Sequence, residues 1–430
     1  MTVPAATTPP DALFARISWR LLPLLFVSYL ISLMDRSNIS YAAVQMNADL
    51  GFSAAVYGLG AGVFFAGYAL FEVPSNLLLV RFGARRWIAR IMLTWGLISM
   101  ATMFVRTPEQ FYLIRFLLGA AEAGFVPGVL LYLSYWFPGA WRGRAISRFN
   151  IAAPVATIVM GSVAGALLGM DGWQGLHGWQ WLFLIEAMPA VLMAWVVFVY
   201  LPDGPTDVDW LTQEEKHWLS ATLAADTAGI EAQEGFLRAL LNPLVLAMGL
   251  TLALCFGAIL AISYSGPTLL MEATGWSVTR VGLLLALGGA FTLIAMLVIG
   301  WSSDRFRERA LHMVGLILLA AVSVVLLARA TEPSATVAIY LVFSVASTNI
   351  GMLGFMLIGD RLHPGQRAVG FAAVNTLAQI GSFAGPALWG LAATRTGGFD
   401  AGLTVIPGIF LVAAAVVLSM RRAGGRTGRA

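Results

Sequence analysis

Apolar residues in this chain gather into long runs instead of alternating with polar ones. Many runs reach 18 residues or more, the length a helix needs to cross roughly 30 Å of hydrocarbon. They predict helices at 18–45, 54–80, 86–105, 110–135, 146–169 and 181–201, and again at 244–270, 279–302, 311–329, 335–358, 370–394 and 401–420. Strand-length alternation is absent, and a bilayer accepts only helices or closed barrels because every backbone polar group must find a partner inside it. The expected fold is an all-α membrane protein of twelve transmembrane helices in two pseudo-symmetric six-helix bundles. The N-terminal bundle is expected over 1–201, a cytoplasmic linker over 202–243 and the C-terminal bundle over 244–430.

The polar punctuation predicts orientation. With a cytoplasmic N-terminus, the inner loops collect Arg16, Arg20, Arg81, Arg85, Arg86, Arg90, Arg142, Arg144 and Arg148, then Arg305, Arg307, Arg309, Arg361, Arg367, Arg421, Arg422, Arg426 and Arg429. The opposite loops carry only Arg106, Arg280, Arg329 and Arg395. This bias of basic residues toward one side places both termini in the cytoplasm and the bundle in the inner, plasma membrane. Met1 to Asp11 has no basic stretch leading into an apolar one, so no cleavable signal is expected and the first helix serves as an anchor. In the linker, Thr212 with Glu215 three residues on reads as a capping box opening a short helix. Trp210, Leu211, Trp218 and Leu219 give that helix an apolar side, and the segment reads as a tether.

Composition narrows the classes. Of 430 residues, 59% are hydrophobic and 11% charged, against about a quarter charged in soluble domains. The 26 basic residues outnumber the 22 acidic ones, but they lie between apolar runs and so predict topology, with no nucleic-acid partner. Cys255, the one cysteine, lies in an apolar run and reads as a buried, inert thiol. His177, His217 and His363 fall in loops and His312 near a helix end, without metal-ligand spacing. With no P-loop and no nucleophile–base arrangement, neither an enzyme nor a bound cofactor is expected. A sensor would need a soluble signalling domain, and 202–243 is too short for one.

Charges inside spans are costly and mark function. Asp35, Arg36, Glu72, Arg115, Glu122 and Glu186 lie within or near spans of the first half, while the span interiors of the second half carry none. Asp35 and Arg36 follow Arg20 by some fifteen residues, more than about 20 Å of helix. As neighbours they point about 100° apart. Arg115 and Glu122, seven residues apart, share a helix face, beside the small Gly119 and Ala123. A buried carboxylate near a mobile arginine can gain or lose a proton as its partner moves. Glu72 and Glu186 lie nearer helix ends, and their roles stay open. In the second half Ser263, Tyr264, Asn349, Asn375 and Gln379 are polar groups in apolar runs, able to bind a substrate or to hold helices together, with Asn375 the first choice for substrate, joined by Gln379 and Tyr264. Pro74, Pro127, Pro154, Pro267 and Pro386 mark expected kinks.

A weak repeat aligns Arg81-Phe82-Gly83-Ala84-Arg85-Arg86 with Arg305-Phe306-Arg307-Glu308-Arg309, pairing Arg81 with Arg305 and Arg85 with Arg309. Parallel six-helix repeats with a mid-membrane site between them are a transporter plan. At Gly300, Asp304, Arg305 and Arg309 the chain resembles the major facilitator superfamily; the first copy has Asn76 and Val80 where the motif's Gly and Asp would stand. More specifically it resembles the anion:cation symporter family, in its bacterial tartrate-transporter branch. The matching stretches are Asp35-Arg36-Ser37-Asn38, Gly67-Tyr68 through Glu72-Val73-Pro74-Ser75-Asn76, Arg115 through Gly124, Trp136-Phe137-Pro138 and Gly178 through Phe183.

The resemblance implies proton-coupled uptake of an organic anion across the bilayer, driven by the proton gradient. It implies Asp35 and Glu122 as protonated carboxylates, Arg36 and Tyr68 as holders of the substrate carboxylate, and Arg115 as a coupling arginine. Arg81, Arg85, Asp304, Arg305 and Arg309 would form the conformational loops. Many sugar-acid members have Tyr where this chain has Leu33, and some have Gln where it has Ala153. Both departures remove hydrogen-bonding groups, so a small dicarboxylate such as tartrate, or an aromatic carboxylate, fits better than a heavily hydroxylated acid. The alternative is an organic-anion exchanger or a drug-efflux antiporter. Against it, Ala152-Ala153-Pro154 lacks the Gly-Pro run that antiporters show. A monomer is expected.

Overall fold

The computed structural model describes residues 10–227, 241–363 and 366–427. Residues 1–9, with the N-terminal stretch read for a signal, and 228–240, with part of the linker, lie outside the described residues, as does Arg429. Fifteen α-helices follow in order among the described residues: α1 Pro10–Leu50, α2 Ala54–Phe82, α3 Ala84–Ala101, α4 Pro108–Glu122, α5 Phe125–Ser134, α6 Gly139–Asn150, α7 Ala152–Leu168, α8 Gly178–Tyr200 and α9 Gln213–Thr227. The second half continues with α10 Pro243–Thr274, α11 Val278–Phe306, α12 Arg309–Leu327, α13 Pro333–Arg361, α14 Arg367–Thr396 and α15 Asp400–Thr427. Among the described residues, eleven segments are long and apolar enough to span a membrane. The more polar α14, 30 residues long and packed against α2 and α10, makes a twelfth long helix.

Local chemistry sets the boundaries. Ser53, Thr107, Asn242 and Ser277 each cap a helix by accepting a backbone N–H, and Pro108 and Pro243 begin helices where a missing N–H costs nothing. In the linker, Thr212 N donates to Glu215 Oε2 at 3.0 Å and Glu215 N to Thr212 Oγ1 at 3.2 Å, completing the expected capping box. Arg16 on α1 holds Glu215 at 2.5 Å, tying the linker helix to the first span.

The structure adds three features to the sequence-based reading. The first helix begins at Pro10, eight residues before the apolar run. The fourth span breaks at Ala123–Gly124, where Gly124 takes φ +86° and a Cβ would stand 2.4 Å from Ser75 Oγ. The fifth span divides at Ile151, between the arginine-bearing α6 and the apolar α7.

Buried apolar side chains form two clusters, one drawn from 13–219 with Tyr264 added, the other from 245–420. The clusters meet where α2 packs on α14 and α7 on α11. Backbones touch there: a Cβ at Gly58 would lie 2.3 Å from the Pro386 carbonyl oxygen, and one at Gly161 2.3 Å from that of Gly282. Small residues allow this approach, which in a membrane rests on packing because lipid is as apolar as the helices. Two hydrogen bonds add to it. Ala55 N donates to Thr394 Oγ1 at 2.8 Å, and Tyr57 Oη to the Tyr264 carbonyl at 2.9 Å. These contacts gather toward the end of the molecule whose loops are poor in arginine. Leu192, Trp195, Leu297 and Trp301 are exposed outside the bundle, the surface a lipid bilayer covers.

Candidate substrate and proton site

The helix twist sends Asp35 and Arg36 of α1 to different partners. Arg36 points to α4 and α2. Its Nε donates to Glu122 Oε2 at 2.7 Å, and its guanidinium lies 4.8 Å from the Tyr68 ring centroid and 5.6 Å from that of Phe64. Asp35 points to α3, accepting from the Ser99 hydroxyl and, at 3.4 Å, from Asn38 Nδ2 one turn along α1. Asp35 also faces Glu122. Three of the six charged residues singled out from the sequence therefore meet at the centre of the first half.

Arg115 completes this centre. It is 1% exposed, its Nε donates to the Gly60 carbonyl at 3.4 Å, and its guanidinium lies 4.9 Å from the same Phe64 ring. Phe64 thus carries two guanidinium groups, an arrangement stabilised by its negative π face. Arg115 and Glu122 share α4, as the seven-residue spacing requires, yet the carboxylate pairs with Arg36 across helices. Both Nη atoms of Arg115, Nη2 of Arg36 and Oε1 of Glu122 are buried with no hydrogen-bond partner among the described residues. Buried guanidinium nitrogens without acceptors are costly, and a carboxylate has the chemistry to satisfy them.

The second half contributes neutral groups. Tyr264 is buried, stacks on Phe65 with centroids 6.3 Å apart, and presents its carbonyl to Tyr57 at the join of the halves. Asn375 Nδ2 reaches across to Glu72, at 2.8 Å from Oε1 and 3.1 Å from Oε2. Gln379 is half-buried one turn further along α14. Asn349 donates within its own helix, to the Val345 carbonyl at 2.8 Å.

The loop residues form two related clusters. Arg309 bridges Asp304 at 3.1 Å and Asp360 at 2.9 Å, linking the start of α12 to the ends of α11 and α13. In the first half, Arg85 meets Asp203, with its backbone N 2.9 Å from Oδ1 and its Nε 3.7 Å from Oδ2. Asp203, beyond the end of α8, thus supplies the carboxylate the first motif copy lacks. Arg81 covers Phe82 at 5.5 Å, and Arg305 is exposed at the end of α11. Sequence reasoning missed Asp203, Ser99 and Phe64. Ser99 stood as a polar residue in an apolar run, whereas Phe64 carried no signal distinguishing it from core.

Comparison with known proteins matches this architecture. The family model for the Major Facilitator Superfamily matches residues 25–386 and 259–427. A chain of Agrobacterium vitis is 40% identical over 418 residues, 95% of this chain and 91% of its own length; it bears the name of a tartrate transporter, marked in that name as an unproven assignment. A chain of Acinetobacter baumannii named a quinolone resistance transporter is 40% identical over 389 residues, 90% of both chains. Among solved structures, an inward-facing, unoccupied bacterial homologue of the human lysosomal transporter Spinster superposes with a TM-score of 0.79 at 18% identity, covering 94% of this chain and 97% of that one. The chain is a multi-pass membrane protein of the major facilitator superfamily, a transporter and not an enzyme.

Proposed function

We propose that this transporter takes up a small organic anion together with protons, by alternating access, through the inner membrane with both termini in the cytoplasm. The observation that carries the reading is the buried Arg36–Glu122 pair beside Arg115, with three guanidinium nitrogens left without acceptors. A carboxylate accepts strong, charge-assisted bonds from such donors. A substrate carboxylate reaching Arg36 competes with Glu122 for it. Glu122, once displaced in a dry site, takes a proton, and loading of anion and proton become linked. Two guanidinium groups around one aromatic ring suit either the two carboxylates of a dicarboxylate such as tartrate or an aromatic acid. Tyr264, Asn375 and Gln379 complete the site from the second half, and the arginines at loop ends support the cytoplasmic assignment.

A second reading, proton-driven export, draws on the 40% identity to the chain named a quinolone resistance transporter. Uptake of labelled tartrate and aromatic acids into proteoliposomes under an inward proton gradient separates the two. Symport predicts accumulation that a protonophore abolishes. Acceleration only by an outward gradient would establish export by antiport, and no response to either gradient would reject proton coupling.

A further inference from the structure

The sequence-based reading gives proton roles to Asp35 and Glu122 and leaves the deep carboxylate of Glu186 without one. Glu186 stands on α8, 5% exposed, and neither of its carboxylate oxygens has a hydrogen-bond partner among the described residues. Its helix packs along α1, whose Asp35, Asn38 and Tyr41 are buried as well. Of the helices packed on α8, α1 brings Arg36, whose guanidinium is turned to Glu122, and α3 and α7 bring no cation to that depth. The basic residues of α3, Arg85, Arg86 and Arg90, sit in its first two turns, at the opposite end of the bundle from the start of α8. No residue of α7 is ionisable. Asn38 meanwhile donates to Asp35 at 3.4 Å, and Asp35 faces Glu122. The polar groups thus run from α8 through α1 to α4, ending at the Arg36–Glu122 pair.

Two ionised carboxylates close together in apolar surroundings repel; Glu186 lacks the donors its charge requires, and Asp35 has them on one oxygen only. A proton on each removes both penalties, and the two coupled titrations belong to the pair jointly. We propose that Glu186 is a proton site of its own, coupled to Asp35 beside Asn38, which makes it a third proton-carrying carboxylate behind the substrate-facing pair. The proposal rests on the proton-coupled reading and deepens it. Two protons only cancel the charge of a dianion. A third lets a dicarboxylate enter with net positive charge, so that the membrane potential assists its uptake.

The first test needs no substrate. In infrared spectra of the full-length protein, the difference between acid and alkaline buffer reports every carboxyl group that titrates. Glu186→Gln, of nearly the same shape, should remove one protonated-carboxyl band, and Glu186→Asp should return a shifted one. A Glu186→Gln spectrum identical to wild type would overturn the proposal. The second test counts protons per labelled tartrate taken up by proteoliposomes. The wild-type ratio should fall by one in Glu186→Gln while tartrate exchange persists, and an unchanged ratio would overturn the proposal. If wild type moves no protons with tartrate, proton-coupled tartrate uptake fails as a function, and the infrared result still decides whether Glu186 holds a proton.

Discussion

At the scale of single residues, the geometry separates the jobs of two adjacent charges. Arg36 faces α2 and α4 through Glu122, Tyr68 and Phe64, while Asp35 is held by Ser99 and Asn38 within the bundle. The planar fork of Arg36 can serve a carboxylate through two parallel bonds, which the point charge of a lysine cannot. Arg36→Lys is therefore expected to weaken anion binding by at least about tenfold, since one charge-assisted bond is worth roughly 1.5–3 kcal/mol; titration calorimetry on the purified protein checks this. Wild-type affinity in that variant would move the anchoring role to Arg115. That charges lay deep in the first half was legible in the sequence, because a carboxylate in an apolar run stands out. Their pairing was not legible: the seven-residue spacing put Arg115 beside Glu122 on α4, whereas the partner came from α1, a contact that only helix packing decides.

At the scale of elements, the twelve apolar runs were readable because lipid imposes one length on each. The breaks were harder. Gly124 interrupts the fourth span where Ser75 leaves no room for a side chain, an inter-helix cause with no local signature. Two element-level contacts are expected to control which end opens. Asn375 of α14 holds Glu72 of α2 across the halves, on the arginine-rich side of the tight glycine contacts. Removing the amide in Asn375→Ala leaves a buried carboxylate without its donor, at about 1–3 kcal/mol. That penalty should favour the state open at the arginine-rich end by about fivefold to a hundredfold. Labelling of an engineered cysteine near Glu72 by an impermeant thiol reagent should speed up accordingly, and an unchanged rate would show that the contact does not hold that end. In the loop cluster, Asp304→Asn weakens the bridge through Arg309 to Asp360 at the helix ends, apart from the proposed substrate site. Slower turnover with substrate affinity within about twofold of wild type is expected, because a loop bridge biases an equilibrium between states without touching substrate. A large loss of affinity would refute the assignment.

At the scale of the whole molecule, the division of labour is between halves: charge in the first, neutral hydrogen-bonding groups in the second, joined by glycine-lined contacts of α2 with α14 and α7 with α11. An anion entering a negative-inside compartment works against about 2.3 kcal/mol per charge per 100 mV. Uptake should therefore respond to an imposed potassium-diffusion potential, becoming faster as the lumen is made negative, if protons outnumber the charges on the anion. Indifference to voltage would indicate neutral co-transport. The claim beneath all of this is that anion and proton meet at one pair, Arg36 with Glu122. The most direct measurement is binding affinity against pH for wild type and Glu122→Gln, using the tightest binder from a panel of small carboxylic acids. Ionised Glu122 competes with the ligand for Arg36, so wild-type affinity should rise as pH falls. Glu122→Gln, which carries no charge to compete, should bind at least as tightly as wild type at every pH, with most of the pH dependence gone. A Gln variant that keeps the full wild-type pH dependence would contradict the account.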